Sequence, residues 1–103
     1  MDIDILIEDD TVYFKIVGAI DTEGGSELTN KFMEIASDES IKNAEFDLSE
    51  VPSITSAGIG KLLRFYKHFD KLGGNMKIKG ISDSLKDQFA EIHLDQIITI
   101  EST

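Results

Sequence analysis

The sequence predicts an α/β fold, a mixed β-sheet flanked by helices with elements in the order ββαβαβαβ. Three observations carry that prediction. Two β-branched runs joined by acidic turn residues open the chain. After them, apolar spacing switches repeatedly between the period of a helix and that of a strand. The chain has 103 residues, 41% of them hydrophobic and one of them proline, the make-up of one ordinary globular domain over residues 1–103.

Residues 3–7 (IDILI) and 11–17 (TVYFKIV) are rich in β-branched and aromatic side chains, and Glu8-Asp9-Asp10 between them supplies turn residues, so a β-hairpin is expected. Gly18 ends the second run, and Ile20-Asp21-Thr22 leads into a helix whose apolar face is Leu28, Phe32, Ile35 and Ala36. That helix should fade in Ser37-Asp38-Glu39-Ser40, before a short strand at Ala44-Glu45-Phe46-Asp47-Leu48. Pro52 cannot extend this strand.

From Ala57 to Leu72 the residues Ile59, Leu62, Leu63, Tyr66 and Phe69 form an apolar stripe at helical spacing, and Gly73-Gly74 stops the helix. Met76-Lys77-Ile78-Lys79-Gly80 alternates as a strand. Leu85, Phe89 and Ile92 space a third helix, and Ile97-Ile98-Thr99-Ile100 forms a closing strand. Strands separated by helices pair in parallel through right-handed crossovers, whereas the opening hairpin is antiparallel.

Charge and composition exclude several functions. Twenty acids against ten bases give a formal charge of -10, which repels nucleic-acid phosphate and anionic lipid. Without cysteine there is no disulfide, thiolate nucleophile or zinc-thiolate site. No apolar run is long enough to cross a bilayer, and MDIDILIEDD lacks the basic region of a secretory signal, so a cytoplasmic location is expected. His68 and His93 share no metal-binding spacing and fall where exposed polar positions are expected. Acids are plentiful, but no calcium loop and no glycine-flanked serine elbow occurs. No enzymatic activity, cofactor or metal is expected.

The stretch Ser53–Leu63, SITSAGIGKLL, invites comparison with nucleotide loops. A Walker-type loop requires glycine where Thr55 stands and a hydroxyl where Leu62 stands, and the dinucleotide fingerprint requires glycine at Leu63. Both fail. What remains is a hydroxyl at a helix start: Ser56 is placed to act as N-cap, accepting from an otherwise unpaired backbone N–H. The same place suits a phosphoserine, because the positive helix terminus stabilises negative charge by about 0.3–1 kcal/mol. Ala57 and Gly58 leave the approach open. Steps of 100° per residue put Lys61, Arg64, Lys67, His68 and Lys71 opposite the apolar stripe. That face is either plain solvated surface or a docking surface for an acidic partner, continuous with Ser56.

Several of these pieces together resemble a known family. The element order, the Val17-Gly18-Ala19-Ile20-Asp21 turn, Phe46-Asp47-Leu48-Ser49 followed by Val51, Ser56-Ala57-Gly58-Ile59 opening a helix, and Gly73-Gly74 before a strand are similar to a STAS domain, specifically to bacterial anti-sigma factor antagonists. The resemblance covers nearly the whole chain. It implies that Ser56 is phosphorylated by a partner that is both anti-sigma factor and serine protein kinase, that a PP2C-type phosphatase reverses this, and that the unphosphorylated chain binds the anti-sigma factor. ATP then belongs to the kinase. Asp21, Thr55, Ser56, Ala57, Gly58, Lys61 and Arg64 would form the partner surface. New charge beside Asp21, Asp47 or Glu50 would weaken it.

Two features depart from the family pattern. Thr55 stands where aspartate is typical, making Thr55 a second candidate acceptor. Only Glu101-Ser102-Thr103 follow the final strand, so the family's last helix is absent, which favours a dimer or a partner-completed surface. The alternative function implied by the resemblance is a non-catalytic subunit of a membrane lipid transport ATPase.

Overall fold

The computed structural model describes residues 1–101, and for residues 22–24 the backbone only. Ser102 and Thr103, read above as following the last strand, lie outside the described residues. Strands β1 (Asp2–Glu8) and β2 (Thr11–Val17) form the expected antiparallel hairpin, with Ile3, Ile5 and Ile7 opposite Ile16, Phe14 and Val12. Then come α1 (Thr22–Ala36), β3 (Asn43–Glu50), α2 (Ser56–Lys71), β4 (Met76–Ile81), α3 (Asp83–Glu91), a 3-10 turn at Leu94–Gln96, and β5 (Thr99–Glu101). The sheet order is β1-β2-β3-β4-β5, with every pairing after the hairpin parallel.

Sequential order with right-handed crossovers places every helix on one side of the sheet. Alternation along the strands agrees: Val12, Phe14, Ile16, Ala44, Phe46, Leu48, Met76 and Ile78 are buried under the helices. The intervening residues face outward. Leu28, Phe32 and Ile35 of α1 descend onto this face, as do Leu62, Phe65 and Phe69 of α2 and Leu85 and Phe89 of α3, forming one contiguous cluster. Aromatic stacking organises its centre. Phe65 lies 4.0 Å from Phe32 and 6.2 Å from Phe46, both near parallel, and Phe46 stacks on Phe14 at 4.6 Å.

The opposite face of the sheet is uncovered and forms a groove of about 490 Å³ lined by Asp4, Leu6, Tyr13, Lys15, Asp47 and Lys79 among others. Ion pairs knit parts of it, Lys15 to Glu50 at 3.4 Å and Lys77 to Glu45 and Glu101 at 3.9 and 3.7 Å. At the far end of α1, Asp38 Oδ1 accepts from the Ser40 hydroxyl at 2.6 Å and the Ser40 N–H at 3.0 Å. Those donors hold its carboxyl below the ordinary aspartate value.

Several expectations are corrected. The centre of the α2 stripe is Gly58, Leu62, Phe65 and Phe69, while Ile59, Leu63 and Tyr66 are only partly buried. Ile92 ends α3 and is exposed, and Leu94 in the 3-10 turn takes the inward place instead. The last strand begins two residues late, at Thr99, because the turn consumes the chain up to Gln96; Ile97 is exposed and Ile98 buried. His68 is not a solvated side chain: its ring meets Phe32 and Phe69 edge-on at 5.3 and 5.0 Å, and Nε2 is buried with no hydrogen-bond partner among the described residues. His93 is exposed, as expected, in the left-handed region at φ 60°.

Candidate functional site

Parallel β2 and β3 deliver their following loops to the same end of the sheet, the carboxyl end where α/β sheets place binding sites. The two loops are laced together. The Gly18 N–H donates to Glu50 O at 3.0 Å, the Ile20 N–H to Ser53 O at 3.1 Å and the Thr55 N–H to Ile20 O at 3.0 Å, making Ile20 and Ile54 a parallel bridge. Asp21 and Thr55, each one residue beyond the bridge, thereby become neighbours. The Asp21 carbonyl accepts the Gly25 N–H at 2.7 Å as α1 begins.

A second support comes from α3. The Ser82 hydroxyl donates to Val51 O at 2.9 Å, the Ser84 hydroxyl to Pro52 O at 3.3 Å and the Gln88 side-chain amide to Ile54 O at 2.9 Å. The 51–55 loop is therefore held on both flanks. Sequence reasoning missed these positioning residues. Ser82 was findable, because a serine three residues before Leu85 is an N-cap pattern, and its hydroxyl does accept the Leu85 N–H at 3.4 Å. Nothing local in the sequence marks Gln88.

At the start of α2 the N-cap is Thr55, not Ser56. Thr55 is extended (φ -78°, ψ 165°) and its Oγ1 accepts from the Gly58 N–H at 3.2 Å, while the Ile59 N–H donates to Thr55 O at 2.9 Å. Ser56 is the first helical residue. Its hydroxyl is exposed and makes no hydrogen bond among the described residues. No acid lies in the first turn, so the unpaired N–H groups there keep their positive end available to an added anion.

Gly58 is buried, and a Cβ on it would stand 2.7 Å from Ile54 Cγ1 and 2.9 Å from Ile20 Cγ2. That close approach lets the first turn of α2 sit against the bridged loops, and it removes Gly58 from any surface a partner can touch. Ala57 is exposed beside Ser56. The basic face is smaller than the 100° projection implies. Lys61 folds over Gly25 of α1, whose Cβ would lie 2.9 Å from Lys61 Cε, and His68 is packed on Phe32. Arg64, Lys67 and Lys71 remain exposed. Of the acids expected beside the phosphate, Asp21 is on the adjoining loop and Glu50 is paired with Lys15. Asp47 is on the open sheet face instead, accepting from the Ser49 N–H and hydroxyl at 3.0 and 2.7 Å.

A family model described as the STAS domain matches residues 2–103. The chain belongs to the STAS domain family. Solved structures bear out the fold of this STAS domain. A candidate anti-sigma factor antagonist from Thermotoga maritima is 20% identical with a TM-score of 0.89, over 98% of this chain and 86% of that one. An anti-sigma factor antagonist from Mycobacterium paratuberculosis is 19% identical with a TM-score of 0.85, over 99% and 86%. The Bacillus cell fate determinant SpoIIAA, solved in its phosphorylated form, is 13% identical with a TM-score of 0.77, over 98% and 92%. Among the described residues no helix is long and apolar enough to cross a membrane, and no group of His, Asp and Glu side chains is placed to hold a metal ion.

Proposed function

We propose that this STAS domain is a non-catalytic, cytoplasmic regulatory switch of anti-sigma factor antagonist type. Unphosphorylated, it binds an anti-sigma factor that is also a serine protein kinase. Phosphorylation of Ser56 releases it, and a PP2C-type phosphatase restores it. One observation carries the reading: Thr55 supplies the cap, so the Ser56 hydroxyl stands exposed at the positive end of α2 with no internal hydrogen bond to give up. A phosphate there adds about -1.5 to -2 charges to a chain already at -10. Charge added at the rim of a fitted interface is enough to weaken it. Asp21 across the loop bridge, Ala57 beside Ser56, and Lys61 and Arg64 farther along α2 complete the contact surface.

Incubating the chain with an anti-sigma-type serine kinase of the same genome and ATP should add one phosphate by intact mass. Ser56→Ala should remain unmodified, and Ser56→Asp should bind the kinase at least tenfold more weakly. Labelling that persists in Ser56→Ala and disappears in Thr55→Ala moves the acceptor to Thr55. A wild-type chain that is never labelled removes the switch.

Thr55 in place of the typical aspartate supports a second reading, a binding subunit of a membrane lipid transport ATPase, in which the same helix start docks without being modified. Co-purification with an ATPase and a Ser56 free of phosphate in cells distinguish it.

A further inference from the structure

Gly60 is an anomaly of α2. It sits in the helix interior, is exposed, and a Cβ built on it meets nothing within 4 Å. Its φ is not positive, so neither packing nor backbone conformation of the free chain requires glycine, which costs about 1 kcal/mol relative to alanine in a helix. One turn before it on the same face is Ser56, and one turn after it is Arg64, followed by Lys67 and Lys71. All four of those residues are exposed. The three cations have no ion pair among the described residues. They are three of only ten bases against twenty acids, gathered on one helix face.

We infer that the outer face of α2, along Ser56, Gly60, Arg64, Lys67 and Lys71, is the track on which an acidic segment of the protein partner lies, its backbone approaching α2 at Gly60. The identity of the partner rests on the switch reading above. Charge selects the occupant: nucleic acid and anionic lipid are repelled by the rest of the chain, whereas a short acidic segment needs to meet only this face. The missing side chain at Gly60 has a second consequence. No cation stands one turn from Ser56 on this line, and Arg64 is eight residues on, about 12 Å along the axis, too far to pair with a phosphate. The phosphate charge is therefore left to act on the acidic partner rather than being neutralised within α2.

The test uses the full chain and a purified anti-sigma-type serine kinase of the same genome, titrated at 50 and 200 mM salt. Replacing Arg64, Lys67 and Lys71 together by Gln should weaken binding at least tenfold and flatten its salt dependence. Gly60→Ala should raise Tm yet weaken binding. A triple variant that binds within twofold of wild type with the same salt dependence overturns the track. Should no such kinase bind the wild-type chain, the switch reading fails, and the track is judged with a poly-glutamate peptide added to the isotope-labelled protein. Amide shifts confined to the outer face of α2, and lost in the triple Gln variant, support it; no shifts, or shifts elsewhere, overturn it.

Discussion

Thr55 Oγ1 closes the first turn of α2 on the Gly58 N–H, and this single bond decides what its neighbour is free to do. Removing an N-cap hydroxyl costs about 0.5–2 kcal/mol, whereas an exposed first-turn serine contributes little. Thr55→Ala should therefore lower the unfolding free energy by about 1 kcal/mol in urea titration, and Ser56→Ala should leave it within about 0.5 kcal/mol of wild type. The reverse order would return the cap to Ser56. A helix start within one residue of Ser56 was legible in the sequence, because hydroxyls precede an apolar period, although the sequence places it at Ala57 and the helix begins at Ser56. Which hydroxyl caps was not, since both residues cap well and helix bounds shift by one residue on φ and ψ alone. The cap at Ser82 was readable from its spacing to Leu85, but its bond to Val51 O, and Gln88 with its bond to Ile54 O, were beyond reach, because the fold alone brings those partners close.

For α2 as an element, the decisive contact is with α1. Phe65 stacks at 4.0 Å on Phe32, and on the same flank Lys61 crosses Gly25 and His68 abuts Phe32. The apolar arc of α2 runs broadly from Phe65 to Leu63, so period alone cannot say which part is central. Docking of α1 moves the centre toward Phe65, and the same shift takes Lys61 and His68 off the basic face. Phe65→Ala removes the ring joining α1 to the sheet and should cost about 3–5 kcal/mol, read as a fall in the urea midpoint. A loss below about 1 kcal/mol would mean the stack is dispensable. His68 offers the opposite case. Its buried Nε2 is unpaired, and an unsatisfied buried polar atom costs about 1–3 kcal/mol. His68→Phe keeps a ring against Phe32 and Phe69 while deleting that atom, and Tm should rise; a fall would show that Nε2 has a partner in solution.

Over the whole molecule, strand and helix order was legible because each crossover carries its own period, and handedness then fixes one helical layer. The charge layout was not, because position on a sheet face or helix flank depends on packing between elements. That layout separates two effects of salt. The chain spans 34 × 27 × 23 Å with a formal charge of -10. At 0.01 M ionic strength the screening length of about 30 Å covers the whole protein, so its excess acids repel one another across the fold; at 0.15 M it is about 8 Å and only near neighbours interact. Raising salt through this range should therefore increase Tm. Binding along Arg64, Lys67 and Lys71 gains from attraction to an acidic segment, which the same screening weakens, so affinity should fall over the range in which stability rises. Calorimetric Tm and partner affinity, measured on one salt series, check both signs. Stability and affinity rising together would show that the partner meets an acidic part of this surface, and that the three cations of α2 do not govern the contact.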